Sequence, residues 1–514
     1  MKKTTKIILA VAMFFSFQFS VFNSVVSAQD AEYQLIRRSY KVNGDGTVDI
    51  GFRKEIKLLR NRAITAYADK GETFILYNPA IDELTINESY TIRPDGSRVQ
   101  TPANAFVDQL PEGCQDCGRY NGIRERAVIH TALEYNCVIV LDYTIHRKTQ
   151  RLEERIVMTE DCPIKRYEVL FDVEDVQGDD VAFVTNNMPK GAKFKKNEPR
   201  SWHLELRDLP QSFKDSYLPS PYTMYPWVRI HYDGRRDGLS DASDSRRDGL
   251  SDGSDVEPIP EANNVIAELF ENDKAKYVAN IRDYVVDYIK VNDIDAALLD
   301  YRVSTARETF LSACGTMADK NNLLASMLKE AGFEVRKEKD AVVVKLKEKD
   351  TEKEYRLSAA AKGEMRPVGT AIEEQRSIEV EKSIPWHGKR LGGGYLQMEI
   401  PTEKGGMSIN PARLTSDRKA PLQVGKCNEK YHYTIALPRT PSRRLVGEPV
   451  EISYSKKGIG SIRISISQER PGAGIEVIRE LNIDVPDGIV TPKQYKDFRQ
   501  MMQDWNGYRT ITIK

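Results

Sequence analysis

The chain has six cysteines and six histidines, the residue types that most often supply nucleophiles, bases and metal ligands. Cys114 and Cys117 form a Cys-x-x-Cys pattern, and Gly113 and Gly118 flank it. A redox-active pair of this kind normally opens a helix, whose dipole stabilises one thiolate. Because the flanking glycines indicate a loop, we predict that Cys114 and Cys117 form a structural disulfide or lie together as free thiols. Redox exchange and metal binding are the alternatives.

Metal binding has little support from the other ligand types. The histidines are scattered, and no two of them have the spacing of a metal-ligand pair. One Cys-x-x-Cys pair needs two further ligands to complete a tetrahedral zinc site. The sequence therefore predicts no metal centre and no cofactor.

Cys314 is the cysteine best placed for nucleophilic chemistry. A thiol becomes a nucleophile when a neighbouring base takes its proton, and His387, with Asp417 beyond it, is the nearest histidine that follows. On this hypothesis Cys314 is the nucleophile and His387 is the base. The alternative is a loop cysteine that is buried or disulfide-bonded. An even number of cysteines permits several disulfides, and the sequence leaves their pairing open.

A predicted helix starts just after Cys314. Thr316 is a suitable N-cap, and Asp319 three residues later fits an acidic variant of the capping box. Apolar residues follow at helical spacing, and Gly332 ends the pattern. Another helix is predicted at Asp273–Lys290, and strands are predicted at Val342–Leu346 and Glu354–Leu357.

Regions rich in predicted strands flank this core. Up to about residue 209, short strand-like segments alternate with turns such as Asn43-Gly44-Asp45-Gly46, a pattern that favours a β-sandwich. The chain is β-rich again from about Trp386 and ends with a helix that starts near Thr491. The predicted fold class is multidomain α+β, with an N-terminal all-β sandwich, a central α+β core, and a C-terminal mainly antiparallel β domain with one helix.

Two stretches resemble known families. Cys314-Gly315-Thr316-Met317-Ala318-Asp319-Lys320, followed by Leu323 and Leu324, resembles the core of the transglutaminase-like, papain-related superfamily. Tyr90-Thr91-Ile92-Arg93-Pro94-Asp95-Gly96-Ser97 is similar to a recurring turn in a β-rich domain of unknown function that often precedes such cores in exported bacterial proteins. The resemblance implies a central transglutaminase-like core between two β domains.

The resemblance also implies that the catalytic triad is lost. In active members a Gly-x-Cys-x-Asp-Lys stretch carries the nucleophile, and alignment places Gly315 on the glycine and Met317 on the cysteine. A thioether has no proton to lose, so it cannot act as a thiolate does. The family's histidine and its Asp or Asn correspond to Ala341 and Ser358, which cannot replace them.

The N-terminus predicts export. Three lysines within the first six residues precede an apolar stretch from Ile7 to Phe22, and Val26-Ser27-Ala28 provides a cleavage site before Gln29. This order is typical of a secretory signal peptide, with an uncleaved anchor as the alternative. The residue directly after the cleavage site is Gln29 and not cysteine, so anchoring through a lipidated N-terminal cysteine is not expected. We predict a periplasmic or secreted protein.

The predicted segments are a signal peptide (1–28), a β-sandwich domain (29–210), a linker (211–261), a transglutaminase-like domain (262–385) and a β-rich C-terminal domain (386–514). The linker contains a duplication, because RRDGLSDASD at 235–244 recurs as RRDGLSDGSD at 246–255. So polar a tract buries too little apolar area to offset the entropy of ordering it. Calcium binding by its aspartates is the alternative, although the spacing matches no EF-hand loop.

These observations lead us to expect a non-catalytic protein that binds or scaffolds a peptide, a cell-wall fragment or a partner protein. The competing hypothesis is an active cysteine transamidase or amidohydrolase that uses Cys314, and a third is an adaptor that pairs strands at its sheet edges. Equal numbers of acidic and basic residues give no support for nucleic-acid binding. No segment beyond the signal peptide is apolar for long enough to span a membrane.

Overall fold

The computed structural model describes residues 30–70, 73–149, 151–174, 180–198, 200–233, 256–338, 341–348, 351–363, 365–368, 375–403, 407, 417–438 and 442–514. The predicted signal peptide and the duplicated repeat lie outside these residues. The described residues form two compact units, one from Met1–Ser212 with Tyr225–Thr370 and the other from Phe213–Met224 with Ala371–Lys514. Within the described part of the chain, no helix has both the length and the apolar character needed to cross a bilayer.

The N-terminal region is built mainly from strands. These strands are β1 (Ala31–Val42), β2 (Val48–Leu58), β3 (Thr73–Tyr77), β4 (Asp82–Ile92), β5 (Arg98–Gln100), β6 (Phe106–Gln109), β7 (Arg124–Val128), β8 (Val138–Arg147), β9 (Arg151–Val157), β10 (Ile164–Val173), β11 (Asp180–Asn186), β12 (Lys195–Glu198), β13 (Ser201–Leu209) and β14 (Trp227–Asp233). Eight of them form one sheet in the order β12-β13-β10-β1-β2-β8-β4-β5, in which only β1 and β10 are parallel.

Two smaller sheets share apolar clusters with this large sheet. The sheet β11-β14-β9 joins the main cluster through residues such as Ile156 and Val228, and the sheet β3-β7-β6 joins a second cluster through Ile75 and Val128. The predicted hairpin around residues 43–46 is confirmed by the antiparallel pairing of β1 with β2. β14 lies inside the stretch predicted as a linker, where its pairing with β9 and β11 makes it part of a sheet.

The prediction that residues 29–210 are purely β was wrong, because they include helix α1 (Asn61–Lys70). A short helix, α2 (Pro221–Met224), lies in the predicted linker and belongs to the second unit. α1 buries Ala63 completely and packs Ile64 against the main N-terminal cluster. The helix has ten residues, fewer than the stretch of about 11–18 residues over which a helical period is recognised in a sequence.

The central region combines helices with a small sheet. Its helices are α3 (Asn263–Glu268), α4 (Lys274–Tyr288), α5 (Ala306–Ser312) and α6 (Met317–Glu330), and its strands are β15 (Lys290–Val291), β16 (Cys314–Gly315), β17 (Glu334–Glu338), β18 (Ala341–Glu348), β19 (Thr351–Leu357) and β20 (Arg366–Pro367). α4 and α6 share one apolar cluster with the sheet β17-β18-β19-β20. The predictions of α4, α6, β18 and β19 are confirmed.

Besides α2, the second unit contains the remaining strands and a further helix. They are β21 (Gln375–Pro385), β22 (Lys389–Arg390), β23 (Leu396–Glu399), β24 (Leu422–Gln423), β25 (Lys426–Ala436), β26 (Val450–Lys456), β27 (Gly460–Gln468), β28 (Ile475–Ile483), β29 (Ile489–Val490), α7 (Tyr495–Gly507) and β30 (Thr510–Ile513). The sheet β21-β25-β28-β27-β26 is antiparallel except for β21, which pairs in parallel with β25. The predicted closing helix is confirmed as α7, which buries Phe498 and Trp505 in the cluster of this sheet.

Candidate functional site

The start of α6 carries the residues that the sequence singled out for chemistry, and its geometry is set by a buried capping box. Thr316 Oγ accepts a hydrogen bond from the Asp319 amide at 3.2 Å, and Asp319 Oδ2 accepts one from the Thr316 amide at 2.8 Å. This confirms the predicted N-cap. Asp319 is completely buried, and its other oxygen accepts from the Ser304 amide at 2.6 Å. The carboxylate therefore satisfies backbone donors from two separate segments.

Gly315 is required by this close approach. A Cβ at position 315 would lie 2.8 Å from Asp319 Cβ and 3.0 Å from its Oδ2, closer than real contacts allow. We expect Gly315→Ala to lower the free energy of unfolding by about 1–3 kcal/mol, because the capping box must shift to admit the methyl group. Chemical denaturation followed by circular dichroism measures the change. The matched control is Gly122→Ala, since a Cβ at Gly122 meets nothing within 4 Å; an equal cost for both variants would contradict the steric argument.

The three positions that the resemblance assigns to a lost triad lie at the ends of elements. Met317 is the first residue of α6 and packs, half-buried, against the central cluster. Ala341 opens β18, and Ser358 follows β19; since Val342 pairs with Leu357, both lie at the same end of this strand pair. None of the three side chains can act as a thiolate or an imidazole base, and the Ser358 hydroxyl accepts from the Ala360 amide at 3.1 Å.

A loop from the N-terminal region covers the start of α6. We call residues 112–123 the cysteine loop. Its Cys114, Cys117, Tyr120 and Ile123 form one buried cluster with Leu298 and Cys314 of the central region. The Tyr120 hydroxyl donates to Asp319 Oδ2 at 3.1 Å, and burial, followed by the nearby Asp319 carboxylate, raises the pKa of this hydroxyl. Tyr120 therefore stays protonated and keeps donating to the capping carboxylate.

Arg119 makes further polar contacts with the central region beside Tyr120. Its guanidinium donates to Ser304 Oγ and lies 3.4 Å from both Ser312 Oγ and the Cys314 carbonyl oxygen. The guanidinium also stacks at 5.4 Å from the Tyr120 ring centroid. Sequence reasoning missed Arg119 and Tyr120 as site residues, because single polar residues in a glycine-rich loop carry no pattern that points to a distant helix.

The structure supplies the disulfide pairing that the sequence left open. Cys117 is bonded to Cys314, with Cα atoms 6.0 Å apart, whereas Cys114 is a buried free thiol. The two cysteines of the Cys-x-x-Cys pattern are therefore not bonded to each other, because the cysteine loop packs Cys117 against Cys314, 197 positions further along the chain. Burial, and then the charge of Glu125, raise the pKa of the Cys114 thiol. Cys137 is also a buried free thiol, and Cys162 and Cys427 are buried.

The hypothesis of a Cys314 nucleophile meets an obstacle in the disulfide. The Cys314 sulfur is held in the disulfide, so no thiolate is available in this form. The proposed base, His387, belongs to the second unit, is exposed, and has its Nδ1 3.2 Å from the Pro385 carbonyl oxygen. Asp417 belongs to the second unit as well. The structure thus gives Cys314 a covalent partner other than the predicted base.

One cluster of potential metal ligands was missed because its members come from two paired strands. Glu168, His203 and Glu205 bring one ligand atom each to within 4.8 Å of the others. Arg37 Nε lies 2.6 Å from Glu168 Oε2, and Arg207 Nε lies 2.6 Å from Glu205 Oε1. Since guanidinium ions already neutralise both carboxylates, the cluster offers a cation little net attraction. The expectation of no metal centre stays a prediction.

Comparisons with known proteins define the class of this chain. Residues 44–212 match DUF3857, and residues 399–513 match DUF3858; both are domains of unknown function for which a solved structure exists. The chain is therefore a multidomain, strand-rich protein with a DUF3857 and a DUF3858 domain. The predicted N-terminal domain of unknown function is confirmed at this level.

Solved structures extend the likeness to nearly the whole chain. The crystal structure of a candidate protease from Parabacteroides distasonis is 23% identical in sequence, covers 95% of this chain and 100% of its own, and has a TM-score of 0.71. This likeness shows a shared fold. A candidate nutrient binding protein from Legionella pneumophila (10% identity, covering 60% of this chain and 95% of its own) and an M1 zinc metallopeptidase from Deinococcus radiodurans (7%, 59% and 65%) both have TM-scores of 0.20, too low for any inference. Among curated proteins no match was found.

Proposed function

We propose that this chain is an exported, non-catalytic protein whose central region is a degenerate transglutaminase-like core. In this proposal the core acts as a binding or scaffold module between two β domains, and its ligand is a peptide, a cell-wall fragment or a partner protein. Met317 occupies the position of the nucleophile, and neither Ala341 nor Ser358 replaces a triad member. These substitutions remove the groups that acyl transfer through a thiolate needs.

The observation that carries the proposal is the closure of the α6 N-terminus by the protein's own side chains. An active thiolate at a helix start depends on free backbone donors and an open approach for substrate. Here Thr316 and Asp319 occupy donors of that first turn, Tyr120 donates to Asp319, and a disulfide attaches the cysteine loop beside it. This arrangement favours a closed, tightly packed start of α6 over an open catalytic cleft.

The alternative function, a cysteine transamidase or amidohydrolase that uses Cys314, is tested directly. The purified chain is incubated with a glutamine-containing peptide and a fluorescent primary amine, with and without mild reduction, beside the variant Cys314→Ala. We expect no amine incorporation and no ammonia release above that of the variant in either condition. Turnover that depends on Cys314 would contradict the proposal, and His387→Ala would then identify the base.

Binding is tested separately, with purified bacterial cell wall as the probe. The full chain is sedimented with the wall in the presence and absence of soluble wall peptides. Retention that the peptides compete for supports a wall-peptide ligand. If the chain stays in the supernatant, wall fragments are excluded and the search moves to proteins that cross-link to it.

Export is supported by the basic and apolar pattern of the first residues and by the Cys117–Cys314 disulfide, since disulfides persist mainly in oxidising compartments. Intact-mass analysis of protein from fractionated cells tests it. We expect a mature chain that starts at Gln29 outside the cytoplasm. A cytoplasmic chain that retains its first 28 residues would contradict export.

A further inference from the structure

Three cysteines meet in one apolar cluster beside the start of α6. Cys114, Cys117 and Cys314 are each at most 2% exposed and belong to the same cluster. Only two of them are bonded to each other, so Cys114 keeps a free thiol next to a disulfide. This combination is the minimum needed for thiol–disulfide exchange, in which a thiolate attacks one sulfur of a disulfide and releases the other.

The backbone between Cys114 and Cys117 is folded so that these two residues can also pair. The Cys117 amide donates to the Cys114 carbonyl oxygen at 3.2 Å, which closes a turn. Residues three apart across such a turn have Cα atoms within about 7 Å, which overlaps the range of about 4.4–6.8 Å in disulfides. The site therefore accommodates a second pairing without a large movement of the chain.

We propose that Cys114, Cys117 and Cys314 form a thiol–disulfide exchange site with two alternative pairings. The Cys114 thiol gives its proton to solvent, and the resulting thiolate attacks Cys117 Sγ. A Cys114–Cys117 bond forms, the Cys117–Cys314 bond breaks, and Cys314 leaves as a thiolate that takes up a proton. The step needs no external oxidant or reductant, because one disulfide replaces another and the number of free thiols is unchanged.

The surroundings favour Cys314 as the leaving sulfur. A thiol of lower pKa leaves faster, and a positive charge near a sulfur lowers the pKa of its thiol. The guanidinium of Arg119 lies 3.4 Å from the Cys314 carbonyl oxygen and adds positive charge. Cys114, by contrast, has a thiol pKa that burial raises, so the exchange is slow until the cysteine loop opens.

Exchange would change both the covalent connection of the cysteine loop and the position of the free thiol. The covalent link between the cysteine loop and the central region would be lost, and only noncovalent contacts such as the Tyr120–Asp319 hydrogen bond would remain. A free thiol would appear at Cys314. This inference does not depend on the function proposed above, because it concerns the pairing of the cysteines and not the reaction or ligand of the core.

The experiment follows the pairing in the full-length mature protein without any added thiol. The protein is incubated at about pH 8.5, where an ordinary cysteine is half ionised, pulsed with iodoacetamide at intervals, and digested without reduction for peptide mass spectrometry. We expect a peptide that contains a Cys114–Cys117 bond to appear together with alkylated Cys314. Exchange leaves the number of free thiols unchanged, because Cys114 is consumed as Cys314 is released, whereas reduction of the disulfide would add two.

The decisive comparison is with Cys114→Ala, in which the attacking thiol is missing. We expect Cys314 labelling in this variant to fall by at least about tenfold, because the intramolecular thiol acts at an effective concentration of about millimolar. The control Cys427→Ala removes a buried cysteine of the second unit and should leave the labelling unchanged. Equal Cys314 labelling in wild type and Cys114→Ala overturns the proposal. A wild-type protein that retains only the Cys117–Cys314 bond throughout also overturns it, even if the variant does not fold.

Discussion

Replacing Asp319 with alanine is expected to lower the free energy of unfolding by about 3–5 kcal/mol, because a buried charged acceptor with several partners disappears. The side chain is completely buried and accepts from the Ser304 amide, the Thr316 amide and the Tyr120 hydroxyl. All three donors would be left without a partner, and each unsatisfied buried group costs about 1–3 kcal/mol. Urea denaturation gives the stability, and hydrogen exchange at the Ser304 and Thr316 amides gives the local effect.

The chain offers a matched control for this prediction in its second capping box. Thr305 and Glu308 make the same reciprocal hydrogen bonds at the start of α5, but these bonds are exposed to solvent. Since water can replace the lost partner there, we expect Glu308→Ala to cost only about 0.5–2 kcal/mol. A cost for Asp319→Ala no greater than that for Glu308→Ala would show that burial of the Thr316–Asp319 box adds nothing.

The parts of the fold that sequence could predict are those fixed by nearby residues. Thr316 and Asp319, three positions apart, mark the start of α6, and Gly332 marks its end, so the helix and its capping box were predicted. The turns after β1 and β4 carry glycine and aspartate where the backbone needs them, and both hairpins were confirmed. Local signals of this kind survive folding because they do not depend on distant partners.

The parts that could not be predicted depend on contacts between distant segments. The resemblance pointed to Met317, Ala341 and Ser358, but nothing near them in sequence indicates that residues 112–123 cover α6. Cys117 has Cys114 three residues away, so the spacing favoured a contact between these two cysteines. In the folded chain, however, Cys117 forms its disulfide with Cys314. β14 is another case. The residue pattern of β14 alone could not show that this strand pairs on both sides, with β9 and with β11.

These long-range contacts make the cysteine loop part of the site at the start of α6. The loop belongs to the N-terminal β region, yet its side chains complete the polar environment of a helix start in the central region. Lys290 forms an ion pair with Asp116, and the Asn292 side chain donates to the Gly113 carbonyl oxygen at 2.5 Å. The site at α6 is therefore built from both regions, so any ligand that moves the loop also changes this site.

The second large effect is expected from the disulfide. Cys314→Ala should lower the free energy of unfolding of the first unit by about 2–5 kcal/mol, because it removes a cross-link that restricts the unfolded chain. The restriction spans 197 positions, and the entropy that a cross-link removes grows with the length of the closed loop. Replacing Cys314 instead of Cys117 ensures that no loop cysteine can restore a bond to the central region. Chemical denaturation under oxidising conditions measures the change.

Cys114→Ala is the matched control, since Cys114 lies in the same cluster and is equally buried at 2% exposure but has no disulfide. Both variants lose a similar amount of packing, so the difference between them isolates the cross-link. A reducing agent provides a second check, because it should bring the stability of wild type close to that of Cys314→Ala and leave the variant unchanged. If both variants unfold at the same denaturant concentration under oxidising conditions, the cross-link does not stabilise the fold. The closed start of α6 would then rest on Asp319, Tyr120 and Arg119 alone.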